Sequence, residues 1–239
     1  MSVQLKTIIA VLNEHSVPYW VNFGTLLGLM RERKPLGHDK DIDIGIWAKD
    51  EERMKLIIPS MKKSAYRIII RSYRGMNFHY KFVPRKDLGF RTLDINMFRQ
   101  VGEFAWSPQP RPIPIPNTQK TVHSQLFRIA RGVFWRIFSN YYSFIPHPSS
   151  TTWPFCRFIE TATWWEPAHY FNNLIWFEEW ECFIPKKWQQ YLTFNYGYWN
   201  IPIKEWNYWA NAGGLVKKDP FYLIKELEQH SYRKKYSQI

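Results

Sequence analysis

The sequence predicts an α/β or α+β fold, in which a mixed β-sheet is flanked by helices. In the first hundred or so residues, segments with helical spacing of apolar side chains alternate with short segments of strand periodicity. Hydrophobic residues make up 45% of the chain, which is enough to bury a sizeable core. The 239 residues are expected to form a single domain, with a catalytic core at 1–100 and a covering elaboration at 101–239.

The periodicity of apolar residues places each element of the core. Pro18 ends the first helix, and Gly24 opens the second at the end of a short strand. The predicted helices lie at 3–14, 24–31 and 50–63, and the predicted strands lie at 19–23, 41–47, 66–71, 77–83 and 91–98.

The second half of the chain has a different composition. Proline occupies every second position from 108 to 116, which favours an extended loop or an edge strand that leaves the sheet. An aromatic-rich and mostly helical region follows, with one short helix predicted at 185–195 and ended near Gly197. We expect this half to pack on the sheet and to cover one side of a site.

Composition limits the classes of function. Lys and Arg outnumber Asp and Glu by 33 to 20, so the net charge of +13 points to an anionic partner such as phosphate, nucleic acid or a lipid surface. Two cysteines, Cys156 and Cys182, exclude a disulfide framework and a four-cysteine zinc site, and reduced thiols are expected. The histidines show no spacing typical of a metal site.

No targeting or membrane-spanning segment is apparent in the sequence, which predicts a cytoplasmic protein. The longest uncharged stretch, 137–156, contains three prolines and is unsuited to a membrane helix. Segment 126–144 mixes three arginines with aromatic and aliphatic residues. It is either an ordinary core helix with a basic outer face or a peripheral contact with an anionic membrane.

The most informative segment is Asp41-Ile42-Asp43. Residues i and i+2 of a strand share a face, so both carboxylates project together while Ile42 and Ile44 enter the core. Adjacent carboxylates repel each other, and a divalent cation such as Mg²⁺ relieves that repulsion. The alternative is a solvated strand edge without a metal.

Three further residues extend this pattern into a candidate site. Gly24 and Thr25 begin a helix, where free backbone N–H groups and a missing Cβ allow a phosphate to approach. Asp94 lies on a later strand between Leu93 and Ile95, in a place where it can complete a carboxylate set with the first two. His38 lies beside the acidic cluster and is either a substrate contact or a loop residue.

Several segments together resemble the LicD/fukutin family. They are WVNFGTLLGLMR at 20–31, HDKDIDIGI at 38–46, LDINMF at 93–98, and the C-terminal residues 184–185 and 191–202. Segment 196–206, YGYWNIPIKEW, is especially similar to fukutin. The matching segments run from about 19 to 206, and 100–165 is the poorly matched part.

The resemblance implies a nucleotidyltransferase-like fold and a phosphotransferase. The expected reaction moves a ribitol or glycerol phosphate, or phosphocholine, from a CDP-linked donor to a glycan hydroxyl in surface polysaccharide synthesis, with release of CMP. Lipid-linked glycans are one option for the acceptor. Fukutin-type enzymes have a membrane anchor, extra domains and zinc-loop cysteines that we do not find in this sequence, so a cytoplasmic enzyme, as in bacteria, is expected.

The family motifs also assign residues by position. Asp41, Asp43 and Asp94 take the metal-carboxylate roles with Mg²⁺ or Mn²⁺, and Asp39 matches a further acidic position that varies within the family. The remaining matches concern substrate binding: Gly24 and Thr25 in the phosphate loop, and Arg31 as the arginine after it.

Two other functions remain open from the sequence. The same carboxylates would serve a nucleotidyltransferase that adds a nucleotide to a small molecule or RNA. The positive charge and aromatic content also fit a non-enzymatic nucleic-acid-binding protein. We expect no nucleic-acid partner, because the charge is spread along the chain and three carboxylates on one sheet face would repel a phosphate backbone.

Overall fold

The computed structural model describes residues 2–85, 89–112, 159–203 and 206–236. It confirms the α/β expectation, with a mixed sheet and flanking helices. The helices are α1 Ser2–Glu14, α2 Phe23–Glu32, α3 Glu51–Lys55, α4 Ile58–Lys63, α5 His169–Asn172, α6 Trp188–Tyr196, α7 Tyr208–Asn211 and α8 Pro220–Tyr236. The strands are β1 Trp20–Val21, β2 Asp41–Trp47, β3 Tyr66–Tyr73, β4 Met76–Pro84, β5 Thr92–Val101, β6 Phe104–Pro112, β7 Ile159–Pro167, β8 Leu174–Phe177, β9 Cys182–Pro185 and β10 Leu215–Val216.

The main sheet joins strands from both halves of the chain. Its path runs β1-β2-β5-β6-β7-β10, and β4 pairs with β5 and carries β3 on its other side. β2 and β5 are parallel, whereas the remaining pairs of this sheet are antiparallel. The long strand β5 lies between β2 and β4, so functional side chains from three strands meet on one face.

Aromatic rings hold the second half of the chain against this sheet. Trp20 stacks on Phe171 with ring centroids 4.6 Å apart, and Phe23 lies 4.3 Å from Trp164. Tyr191 of α6 donates a hydrogen bond from its hydroxyl to the side-chain oxygen of Asn22, the residue before α2. These contacts fix the C-terminal helices over the part of the sheet that carries Asp41 and Asp43.

The proline-rich segment forms a strand within the described residues. β6 pairs with β7 along its whole length, but it pairs with β5 only through Phe104–Trp106. Its prolines at 108, 110 and 112 lie beyond that contact, where no N–H is needed toward β5. The expectation of an edge strand leaving the sheet therefore describes this part of β6, and 113–116 lie outside the described residues.

Several helix boundaries in the structure differ from the predicted ones. The helix predicted at 50–63 is two helices, because Pro59 at the start of α4 lacks an N–H and its ring crowds the preceding turn. The helix predicted at 185–195 begins at Trp188, since Pro185 still belongs to β9. The last helix, α8, extends to Tyr236.

The strand predicted at 19–23 shortens to two residues because Phe23 already starts α2. Cys182 is a buried free thiol, whereas Cys156 and segment 126–144 lie outside the described residues. Among the described helices, none combines the length and the apolar character needed to cross a membrane.

Candidate active site

The parallel pairing of β2 and β5 brings the predicted carboxylates together. Asp43 is the direct neighbour of Asp94 in the register, and Asp41 lies one step back on the same face of β2. Ile42 and Ile44 point the other way and are fully buried, as the alternation predicted. The structure thus places Asp41, Asp43 and Asp94 on one face of the sheet.

Asp39 supplies the third carboxylate of the tightest acidic group. One side-chain oxygen from each of Asp39, Asp41 and Asp43 lies within 4.8 Å of the other two. Asp39 precedes β2, and its Oδ1 accepts a hydrogen bond from the backbone N–H of Lys40. Asp39 therefore joins the predicted pair in a group that could hold a metal ion, within the part of the chain described.

The carboxylates in this group repel one another. Burial, hydrogen bonding to Asp39 and repulsion by Asp39 and Asp94 raise the pKa of Asp41 to about 7. Burial and repulsion by Asp41, Asp94 and Asp39 raise the pKa of Asp43 well above its ordinary value. Hard oxygen ligands at this spacing suit Mg²⁺ or Mn²⁺, and a bound divalent ion would remove the repulsion. The residues present therefore fit the predicted cofactor, without distinguishing between the two ions.

Asp94 is held by two neighbours on β4. Its Oδ2 lies 3.1 Å from Lys81 Nζ and 3.5 Å from His79 Nε2. Burial alone would raise the pKa of Asp94, but the hydrogen bond with His79 and the charge of Lys81 outweigh it and lower the pKa. Its buried Oδ1 has no hydrogen-bond partner among the described residues. Asp94 is thus an ionised carboxylate with one free oxygen, and its role as a metal ligand stays a prediction.

The first turn of α2 lies against the carboxylates. A Cβ on Gly24 would come within 2.6 Å of Asp39 Oδ2, so only glycine permits this approach. Thr25 is 2% exposed, and its Oγ1 accepts a hydrogen bond from the backbone N–H of Asp43 at 2.8 Å. The side chain of Thr25 therefore positions β2, and the phosphate-binding role predicted for Gly24 and Thr25 remains for their backbone N–H groups.

Arg31 and His38 both line the cavity beside the acidic group. The guanidinium of Arg31 is paired with Glu32 at 3.0 Å, and only 13% of its side chain is exposed. Its buried Nε has no hydrogen-bond partner within the described ranges. His38 lies in an exposed loop before Asp39. These positions are compatible with the predicted substrate contacts, which stay predictions.

The acidic group forms the floor of a cavity of about 810 Å³, a volume within the range of small-molecule sites. The opposite wall is aromatic and comes mostly from the second half of the chain. Its rings are Phe23, Trp164, Tyr196, Trp199, Trp206 and Tyr208. The cavity therefore has a charged side suited to a metal–phosphate group and a flat apolar side suited to a ring.

Buried polar contacts hold the elements of the second half together. Asn195 of α6 donates a hydrogen bond to Oε1 of Glu166 on β7, and its own oxygen accepts one from the N–H of Gly214. Glu166 is fully buried, and burial raises its pKa to about 8. This network fixes the end of α6, from which the loop with Trp199 departs.

Sequence reasoning missed several polar residues of the cavity. His79 and Lys81 alternate along β4 and reach Asp94 across the sheet, while Arg71, Asn96 and Gln109 line the same cavity. Alternation of polar residues on 77–83 was the available signal. It did not reveal the partners, because strand register depends on tertiary pairing.

Comparison with protein families confirms the resemblance over the core. Residues 16–109 match the nucleotidyltransferase domain described as LicD/FKTN/FKRP. An uncharacterized protein of Rickettsia typhi is 38% identical over 64 residues, and one of Rickettsia prowazekii is 33% identical over 64 residues. Each match covers 27% of this chain, and the chain spans 21% and 24% of those relatives' lengths.

A comparison with solved structures finds the crystal structure of ANT(2")-Ia in complex with adenylyl-2"-tobramycin. The match has a TM-score of 0.30 and 17% sequence identity, and it covers 42% of this chain and 53% of the other.

Proposed function

We propose that this chain is a metal-dependent phosphotransferase. It moves a polyol phosphate or phosphocholine from a CDP-linked donor to a glycan hydroxyl, and CMP is the leaving group. The observation that carries the proposal is the acidic group Asp39, Asp41 and Asp43 against the first turn of α2, at the floor of an 810 Å³ cavity. The match of residues 16–109 to the LicD/FKTN/FKRP domain supports it.

The cofactor in this proposal is Mg²⁺ or Mn²⁺. Asp39, Asp41 and Asp43 would hold it, and their mutual repulsion is the structural reason for a divalent cation at this point. When bound, the ion would neutralise charge on the donor's diphosphate.

The chain's own groups bind and orient the donor. The backbone N–H groups at the start of α2 face phosphate oxygens, and Gly24 leaves the space for that approach. Arg31 pairs with a phosphate oxygen, which provides the buried Nε with an acceptor. The aromatic wall encloses the rest of the donor and excludes water from the diphosphate.

Asp94 orients the attacking hydroxyl. Its free Oδ1 accepts a hydrogen bond from the glycan hydroxyl, while Lys81 and His79 hold Oδ2. An O–P bond forms between the hydroxyl oxygen and the distal phosphorus, and the P–O bond to CMP breaks. The hydroxyl proton passes by way of Asp94 to solvent, because its lowered pKa makes this carboxylate a poor final acceptor.

Two Asp-to-Asn variants test the assignment. Asp41→Asn and Asp94→Asn are assayed for CMP release with CDP-ribitol, CDP-glycerol and CDP-choline, a mixture of glycan acceptors and Mn²⁺. Asp50→Asn, outside the cavity, is the matched control. We expect losses of about 100-fold or more in both site variants and little change in the control. Release at the wild-type rate by either site variant contradicts the assignment.

The same assay, with nucleoside triphosphates added, separates the alternative reaction, which the nucleotidyltransferase description of the matched domain favours. An enzyme that transfers a nucleotide to an acceptor releases pyrophosphate from a nucleoside triphosphate and leaves the CDP-linked donors intact. Detection of pyrophosphate without CMP would replace the proposed reaction while keeping the metal site.

The cellular setting is part of the proposal. We propose a cytoplasmic enzyme whose acceptor is carried on a lipid and which meets the membrane only peripherally. The basic–aromatic segment 126–144 is the region through which that contact is predicted. Flotation with anionic liposomes at low salt tests this, and no binding there removes the membrane contact from the proposal.

A further inference from the structure

A second polar row crosses the sheet next to the carboxylates. The register aligns Arg71 of β3 with His79 of β4, and His79 with Asn96 of β5. The neighbouring row runs through Lys81, Asp94 and Asp43. Corresponding positions of the two rows are two residues apart on each strand, which is about 6.6 Å. The two rows therefore occupy the same face at a distance that one substrate can span.

The second row faces open space in the cavity. Arg71, His79 and Asn96 all line it, and Gln109 of β6 lines it as well. Arg71, Asn96 and Gln109 are partly buried, yet their side chains make no hydrogen bond or ion pair with other described residues. Beyond this row the same face becomes apolar, because Trp20 covers Gly45 and lies 5.7 Å from Phe98.

Of these four residues, His79 alone has a described partner, since its Nε2 lies 3.5 Å from Asp94 Oδ2. Other basic groups around the cavity are engaged: Lys81 with Asp94 at 3.1 Å and Arg31 with Glu32 at 3.0 Å. A partly buried guanidinium or carboxamide without protein partners binds water, which a ligand in the cavity can replace. The row is therefore available to form hydrogen bonds with a molecule in the cavity.

The hydrogen-bonding groups of this row indicate the chemistry of that molecule. A carboxamide offers both donors and an acceptor, and a guanidinium offers a planar fork of donors. Such groups match the hydroxyl oxygens of a sugar or polyol. The row contains no carboxylate of its own and no ring that could surround a quaternary ammonium, so choline is a poor match for it.

We propose that Arg71, His79 and Asn96, with Gln109, form a subsite for a hydroxyl-rich group of a substrate, beside the carboxylates. This proposal rests on the proposed function, because that function defines the reaction in which the bound substrate takes part. Hydroxyls can come from two sources, the polyol of a CDP-linked donor or the sugar of the acceptor. The experiment has one arm for each source.

The first arm compares CDP with CDP-ribitol by calorimetric titration in the presence of Mn²⁺. If the row binds the donor's polyol, wild-type protein binds CDP-ribitol more tightly than CDP, and Arg71→Gln and Asn96→Ala each reduce that difference about tenfold. Arg67→Gln is the matched control, since Arg67 shares the strand and face of Arg71 but is exposed and lies outside the cavity.

The second arm titrates a panel of methyl glycosides, with and without CDP and Mn²⁺. If the row binds the acceptor, both site variants weaken glycoside binding about tenfold and leave the affinity for CDP unchanged, whereas Arg67→Gln changes neither. Gln109→Ala provides an independent variant on another strand. Melting temperatures within a few degrees of wild type establish that each variant is folded.

Either pattern supports the subsite and identifies its source. The proposal is overturned if Arg71→Gln and Asn96→Ala behave like Arg67→Gln in both arms, or if CDP-ribitol binds wild type no better than CDP and no methyl glycoside binds wild type. Failure of the proposed function is a separate result: wild type then shows no Mn²⁺-dependent CDP binding, while the CDP-free glycoside titration still decides whether the row binds hydroxyls.

Discussion

The Thr25 hydroxyl accepts a hydrogen bond from the backbone N–H of Asp43 at 2.8 Å, with the Thr25 side chain buried. This bond joins the first turn of α2 to the middle of β2. It sets the distance between the backbone N–H groups at the helix start and the carboxylates of the strand. Both halves of the proposed diphosphate site meet at this contact.

Replacing Thr25 should therefore weaken both stability and activity. Thr25→Val keeps the shape but leaves the N–H of Asp43 without its acceptor, at a cost of about 1–3 kcal/mol in the free energy of unfolding. Thr25→Ser retains the hydroxyl and should lose less. Urea denaturation of the two variants checks this, and equal losses would contradict a role for the hydrogen bond.

A methyl group on Gly24 should damage the metal site. Its Cβ would lie 2.6 Å from Asp39 Oδ2, so the Asp39 carboxylate must shift from its place beside Asp41 and Asp43. We expect Gly24→Ala to weaken Mn²⁺ binding at least about tenfold, because a carboxylate ligand is displaced. Gly37→Ala is the control, since a Cβ there meets nothing within 4 Å. Calorimetric titration with Mn²⁺ should show unchanged affinity for the control variant.

Removing one charge from the acidic group should stabilise the metal-free protein and reduce the stabilisation that a bound metal ion provides. Burial and repulsion raise the pKa of Asp43, so Asp43→Asn should raise the melting temperature of metal-free protein at pH 8. With Mn²⁺ at about 100 times its Kd, wild type should gain about 2.7 kcal/mol and the variant much less. Two melting curves per protein suffice, and a stabilisation by Mn²⁺ that is the same in both proteins would exclude this metal site.

Metal affinity should also depend on pH. The carboxylates bind a cation in their ionised form, and the pKa of Asp41 is raised to about 7. Metal binding therefore releases protons, and the affinity for Mn²⁺ should rise as the pH increases through 7. Titrations at pH 6 and pH 8 check the sign; a higher affinity at pH 6 would contradict the assignment of Asp41.

Glu166 should make stability depend on pH in the opposite direction to a salt-bridged carboxylate. Its folded pKa of about 8 lies above the ordinary value of 4.5, so the folded state holds a proton that the unfolded state releases. The free energy of unfolding should fall between about pH 4.5 and pH 8, by up to about 1.4 kcal/mol per pH unit. Glu166→Gln should flatten that slope, as measured by urea denaturation across pH. Parallel slopes in the two proteins would show that Glu166 is not the cause.

The sequence was informative where one strand or one turn carries the signal. Alternation along 41–47 predicted both the strand and the shared face of Asp41 and Asp43, because the period of two is a local property. Gly24 marked the start of α2, and the structure shows that the close approach of Asp39 requires it. The family resemblance over the core was also readable from these segments.

Features that depend on pairing between strands distant in the sequence could not be predicted from the sequence. Nothing local indicates that Lys81 and His79 contact Asp94, or that Arg71 aligns with Asn96 across β4, since these follow from register. Asp39 was given less weight because the acidic position that it matches varies within the family, and strand periodicity does not extend to a residue before β2. The break at Pro59 was a local signal that the helical pattern of 50–63 concealed.

Anomalous diffraction from crystals soaked with Mn²⁺ and CDP tests the central claim most directly. The account predicts an anomalous peak at metal–ligand distance from carboxylate oxygens of Asp39, Asp41 and Asp43, with the diphosphate of CDP on that ion and next to the first turn of α2. Binding of CDP in the cavity without a peak among these three carboxylates would contradict it. A peak found only elsewhere on the protein would contradict it as well.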